Sequence, residues 1–310
     1  MKIKTVILKT ALALAVFLGT SASGLAKLNV VATTSDLGAI AHEIGGDLVQ
    51  VTVLAKPMED VHFVDPKPSY VVKLAHADIL LEGGAELEIG WLPPLLEGAR
   101  NPKLGAGQPG RVGCAEGLSL LEVPALLDRS QGDLHAAGNP HFLIDPVNAR
   151  HAAERIYSAF SEVDPAHRAG YREGLENFTR RLDEKLPAWQ KALAPFSSRR
   201  VVAFHNSWPY FAQRFGLKID LFLEPKPGIP PTPAHLAEVI DRMKAEKIEV
   251  IIIEPFQNRK TAETVANRTD AVLIDVAQYP GGIKGTEAGY IELMDYLVNT
   301  LANALNGKQR

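Results

Sequence analysis

From Pro165 to Leu193 the chain carries an amphipathic pattern in which Tyr171, Leu175, Phe178, Leu182, Leu186 and Trp189 recur at spacings of three and four residues. That is the period of an α-helix with one buried face. Asp164-Pro165 before it supplies an N-cap and a first-turn proline. At 1.5 Å per residue the helix is about 40 Å long, enough to run the length of a domain. Such a helix holds whatever it joins at a fixed separation, which a Gly/Ser linker does not.

On either side of this stretch the pattern changes to short β-branched runs alternating with amphipathic segments. Before it, strands are expected at Leu28-Asn-Val-Val-Ala-Thr33, Val49 to Leu54, Asp78 to Leu81 and Arg111 to Ala115. Helices are expected between them, one capped by Ser35, one from Ser69 and one over Leu87 to Leu96. Residues 146 to 194 hold only helices. Strands return at Arg200 to Phe204, Lys218 to Leu223, Glu249 to Ile253 and Ala271 to Ile274, and a closing helix is expected over Thr286 to Leu305. Strand–helix alternation argues for parallel sheets with helices on both faces. The fold class is therefore α/β: two lobes, each with a mostly parallel four-stranded sheet flanked by helices, joined by one long rigid backbone helix. The corresponding division is 27–163, 164–195 and 196–310.

Residues 1–26 read as an address. Lys2, Lys4 and Lys9 precede eight apolar residues, Ala11 to Leu18, and a small-residue end at Gly24-Leu25-Ala26, the three parts of a cleaved signal peptide. Eight residues span about 12 Å as a helix, against the roughly 30 Å of a bilayer core. Cleavage is expected after Ala26, with Ser23 as the alternative. It removes three lysines and no acid, taking the net charge from −3 to −6 and leaving no basic field for nucleic acid. With no cysteine near the cleavage site, a periplasmic protein without a lipid anchor is expected. The single cysteine, Cys114, excludes an internal disulfide and any Cys-rich metal cluster. Bound metal would have to use histidine and carboxylate.

In open α/β sheets ligands bind beyond the carboxyl ends of the strands, so polar residues just after strands are the candidates. Four stand out: His62, His141, His205 and Asp275, separated by 79, 64 and 70 residues, two from each lobe. Three neutral imidazoles and one carboxylate fill a tetrahedral Zn²⁺ shell. A closed shell leaves no place for an activated water, which favours carrying the ion over catalysis. Glu254, ending another strand, is an alternative carboxylate or a partner of one of the ligands. Glu59 and Asp60 read as an acidic rim beside His62. His42, His76, His151, His167 and His235 lie on or at the ends of helices without ligand spacing and read as structural or solvated.

The local wording adds a resemblance. Val61-His-Phe-Val-Asp-Pro-Lys-Pro-Ser69, with Lys73-Leu-Ala-His-Ala-Asp-Ile-Leu80 and Gly83-Gly-Ala-Glu-Leu-Glu88, resembles the first signature of the cluster A-I solute-binding proteins, the zinc- and manganese-binding extracytoplasmic components of ABC importers. Asn139-Pro-His-Phe-Leu-Ile-Asp-Pro146 resembles the second signature, and Phe204-His-Asn-Ser-Trp-Pro-Tyr-Phe-Ala-Gln-Arg-Phe-Gly216 the third. Ile252-Ile-Glu-Pro-Phe-Gln257 and Val272-Leu-Ile-Asp275 resemble the fourth region, although Gln278-Tyr-Pro-Gly-Gly-Ile283 departs from the usual wording. The resemblance implies two α/β lobes on a backbone helix and assigns His62, His141, His205 and Asp275 as ligands. A histidine at the third position implies a zinc-type receptor that delivers Zn²⁺ to a membrane permease with a cytoplasmic ATPase. Manganese or iron is the alternative cargo. The long His- and acid-rich loop of many zinc members is absent, since residues 116–138 contain only His135 and a few acids. No GxxxxGK[ST] phosphate loop is present, so the energy source lies in a partner. A monomer and no enzymatic activity are expected. The rivals are a secreted zinc hydrolase using Glu254 as base and a surface adhesin, and no HExxH, nucleophile elbow or exposed repeat motivates either.

Overall fold

The computed structural model describes residues 26–126, 132 and 135–307. The expected signal peptide lies, apart from Ala26, outside the described residues. No described helix is long and apolar enough to cross a membrane.

Two four-stranded sheets form, and every strand pair in them is parallel. In the first, β1 (Leu28–Ala32), β2 (Val49–Val53), β3 (Ile79–Glu82) and β4 (Arg111–Gly113) lie in the order β2-β1-β3-β4. In the second, β5 (Arg200–Ala203), β6 (Lys218–Phe222), β7 (Val250–Ile253) and β8 (Val272–Asp275) lie in the order β6-β5-β7-β8. The two lobes thus repeat one topology. Helices α1 (Ser35–Gly45), α2 (Pro68–Ala75) and α3 (Leu92–Ala99) accompany the first sheet; α6 (Pro209–Phe215), α7 (Pro233–Glu246) and α8 (Arg259–Thr269) accompany the second. Between the lobes run α4 (Pro146–Val163) and α5 (Arg168–Leu193), and α9 (Tyr290–Gly307) closes the chain. All of β7 is buried, as its run of Val250-Ile-Ile-Ile253 demands of a central strand covered on both faces.

Three local expectations shift. Asp164-Pro165 opens a short 3₁₀ turn instead of capping α5: the Asp164 carboxylate accepts from Tyr171 Oη at 2.7 Å and pairs with the His167 ring. The helix expected from Leu87 begins at Leu92: residues 85–91 form turns, and Trp91, at φ −141° and ψ −27°, is the non-helical N-cap. Pro93 and Pro94 then fall in its first turn, where a missing N–H costs no hydrogen bond. The closing helix starts at Tyr290, after turns that place Gly281 N–H on the Thr286 hydroxyl and carbonyl.

The long helix is part of the core. Tyr171, Phe178, Leu182, Trp189 and Leu193 of α5 are buried in one apolar cluster that also holds Val30 and Ile79 of the first sheet, Val201 and Val250 of the second, and Leu297 of α9. Each large side chain so buried contributes roughly 1.5–3 kcal/mol. Polar ties flank the stripe: Arg181 donates from Nη1 to both carboxylate oxygens of Glu43 of α1, at 2.6 and 2.8 Å, and Lys185 and the Trp189 indole both donate to Asp295 of α9. Because α9 belongs to the C-terminal end of the chain yet packs on α5 and α1, the two sheets share one covering layer. That argues against wide independent motion of the lobes.

Under the cleft of the first lobe lies a buried carboxylate. Glu88 accepts from the Thr33 hydroxyl and the Gly83 N–H, each at 2.7 Å, and burial pushes its pKa from 4.5 up to about 7. The folded state therefore holds this proton over a range where the unfolded chain has lost it. Its stabilising contribution is complete below pH 4.5 and is lost as pH rises to about 7, by roughly 3 kcal/mol. Chemical denaturation across that window should show the parent losing stability relative to Glu88→Gln. Equal pH slopes for the two would show that Glu88 ionises normally.

Candidate metal centre

In a sheet of order β6-β5-β7-β8 the chain leaves β5 and β7 on opposite sides, so a crevice opens at their carboxyl ends. His205 stands two residues beyond β5, and Glu254 directly follows β7. The first lobe faces this crevice with the loop after β2, carrying His62, and with His141, which precedes a 3₁₀ turn (Phe142–Ile144) leading into α4.

Each imidazole is held from behind. The His62 loop is pinned by Trp91, whose indole donates to Val61 O at 2.8 Å, and His62 N–H donates to Asp60 Oδ1 at 3.0 Å. The buried Asn139 accepts from His141 N–H at 3.0 Å and reaches across the cleft to Asn206 O at 2.9 Å. Tyr210 of α6 donates its hydroxyl to Asn139 O, and Arg214 forks onto Asp145 at 2.7 and 2.9 Å. So the His141 segment is fastened to the second lobe. His205 pairs through Nδ1 with Glu224 Oε2 at 2.7 Å, which directs its other nitrogen into the cleft.

The result is a three-imidazole cluster. Ligand nitrogens of His62, His141 and His205 all lie within 4.8 Å of one another, and the Nε2 atoms of His62 and His141 are 3.2 Å apart. The ring centroids are separated by 5.1, 5.7 and 5.6 Å. Burial and the neighbouring imidazoles push the His62 pKa down to about 3 and the His141 pKa well below its usual 6.5. Both rings are neutral at physiological pH with lone pairs available. For His205, burial opposes the charge but the Glu224 carboxylate outweighs it, and the pKa rises.

The fourth residue read from the sequence is elsewhere. Asp275 ends β8, the edge strand; its side chain is 52% exposed and its carboxylate is paired with Arg259 of α8. It does not join the imidazoles, because its carboxylate is turned to solvent and held there by the Arg259 guanidinium. The chain then turns inward through the buried Val276 and Ala277 and brings Gln278 to the cleft. Gln278 donates Nε2–H to Glu254 Oε2 at 2.8 Å. Glu254 is 2% exposed, and burial raises its pKa from 4.5 to about 7. Sequence reasoning passed over Gln278 and Glu224 because neither an amide nor a solitary glutamate carries a ligand signature. The one available signal was the unusual wording after Asp275.

The cleft above the cluster measures about 430 Å³ and is walled by Asp60, Phe63, Glu122, Phe256 and Asn258. His135 also lines it, its ring centroid 5.1 Å from that of His62. His151, His167 and His235 serve the fold, with ring nitrogens on Glu116 O, Asp164 Oδ2 and Phe222 O.

A family model described as "Zinc-uptake complex component A periplasmic" matches residues 30–304. The chain belongs to the ZnuA family. Its relatives include the iron-binding protein YfeA of Yersinia pestis, 29% identical over 89% of this chain and 86% of YfeA. The manganese ABC transporter substrate-binding lipoprotein PsaA of Streptococcus anginosus is 23% identical over 90% of each chain. Among solved structures, a zinc-bound ZnuA deletion mutant superposes with a TM-score of 0.76 at 25% identity, covering 90% of this chain and 98% of that one. A manganese-bound periplasmic metal binding protein from Candidatus Liberibacter asiaticus has the same fold, with a TM-score of 0.74 at 22% identity over 89% and 98% of the two chains. Like other ZnuA-family proteins, the chain is a metal-binding component of an ABC importer and not an enzyme.

Proposed function

We propose that this protein is a periplasmic Zn²⁺ receptor that passes its ion to a membrane permease driven by a cytoplasmic ATPase, with His62, His141 and His205 as ligands. The observation that carries the reading is the 3.2 Å between two Nε2 atoms. Nitrogens about 2.0–2.1 Å from a tetrahedral zinc stand roughly 3.3–3.4 Å apart. The donor set supports zinc over manganese, which favours carboxylate and water oxygens. Glu224 behind His205 is the carboxylate–histidine pairing that orients a ligand and raises its basicity.

Two of the three imidazoles already lack a competing proton. The pH dependence of binding therefore comes from His205, whose raised pKa makes affinity decline from above pH 6.5, by about tenfold per pH unit once the ring is protonated. The test is elemental analysis of the processed protein purified without added metal, then competition between zinc and manganese from pH 5.5 to 8. One zinc per chain that excess manganese does not displace is the expected result. Preferential retention of manganese would overturn the assignment.

A further inference from the structure

Beside His205, the second lobe presents a buried amide to His62 and His141. Gln278 is 4% exposed, and its nitrogen is pinned by the 2.8 Å hydrogen bond to Glu254 Oε2. Glu254 is committed as an acceptor, since the Gln257 amide also donates to it, at 3.4 Å. An amide carries both donors on nitrogen and both lone pairs on oxygen. Fixing Nε2 on a carboxylate turns Oε1 the opposite way, and Gln278 lines the same cleft as His62, His141 and His205. Asp275, meanwhile, is held outside by Arg259.

We infer that Gln278 Oε1 is the fourth donor of the metal shell. This rests on the three-imidazole reading and changes its chemistry. All four donors are neutral, so the bound ion keeps its full double charge. The compensating carboxylates stand one bond further out, Glu254 behind Gln278 and Glu224 behind His205. Oxygen-seeking cations gain most from a carboxylate in direct contact, while Zn²⁺ is satisfied by imidazole nitrogen with one neutral oxygen. Gln278 is thereby a specificity-determining residue, set against manganese and magnesium.

Competition titrations of Gln278→Ala, Gln278→Glu, His135→Ala and His205→Ala against a fluorescent chelator test this, with circular dichroism confirming the fold of each. Gln278→Ala is expected to weaken zinc about 10–100-fold and to change the visible spectrum of the Co²⁺-substituted protein as water replaces the amide oxygen. Gln278→Glu is expected to raise manganese affinity relative to zinc by about tenfold or more. Parent-like zinc and manganese affinities in both Gln278 variants would overturn the inference. So would a loss in His135→Ala alone, which would give the fourth position to that imidazole. A His205→Ala protein that bound zinc as the parent does would instead refute the underlying three-imidazole site.

Discussion

His141→Ala should lower zinc affinity by about a hundredfold or more while leaving the metal-free protein folded. His141 is the most enclosed of the three imidazoles, 6% exposed, and its ring centroid is 5.1 Å from that of His62 and 5.6 Å from that of His205. Without it the ion would keep imidazoles from opposite sides of the cleft and lose the donor that holds them to tetrahedral spacing. The fold should tolerate the change because the side chain carries little of the local network. Its Nδ1 is buried with no hydrogen-bond partner, and the 3.0 Å bond to Asn139 comes from the backbone N–H. Titration against a chelator, beside thermal denaturation of the metal-free proteins, separates the two effects. Undiminished affinity would remove His141 from the site.

A large effect of one substitution on stability is expected far from the cleft, at Gly174. A methyl group there would lie 2.2 Å from the Ile44 carbonyl oxygen and 2.8 Å from Ile44 Cα, so α5 touches α1 backbone to backbone at this point. Glycine to alanine inside an exposed helix ordinarily stabilises by about 1 kcal/mol. Here the sign reverses: Gly174→Ala must push the helices apart and is expected to cost about 2–3 kcal/mol. Gly170, one turn earlier, is the control, because its added methyl would meet only the end of the Leu48 side chain. Urea denaturation should find Gly170→Ala near the parent and Gly174→Ala well below it. Equal stabilities would mean that the α1–α5 contact is looser than the structure shows.

How much of this could be read beforehand follows from which interactions are local. The apolar stripe on α5 obeys a 3.6-residue period that neighbouring residues alone establish, and Tyr171, Phe178, Leu182 and Trp189 are buried as that period requires. The strands are short β-branched runs, and seven of the eight expected fall within a residue or so of their observed ends, Arg111–Gly113 being the shorter exception. The helix expected at Leu87 starts five residues later, because the chain over residues 85–91 turns to bury Glu88 against Thr33. That contact joins residues far apart in the chain, and no propensity encodes it.

The order of residues determined the two-lobed α/β architecture, the stiff helix between the lobes, and three histidines placed at strand ends where parallel sheets open a crevice. Only the tertiary structure decided which oxygen could complete their circle. Asp275 faces solvent against Arg259 while Gln278, three residues beyond the strand, lines the cleft, and that path is set by how the two sheets pack around α5. Packing acts between segments distant in sequence, so its outcome is written in no short stretch of residues.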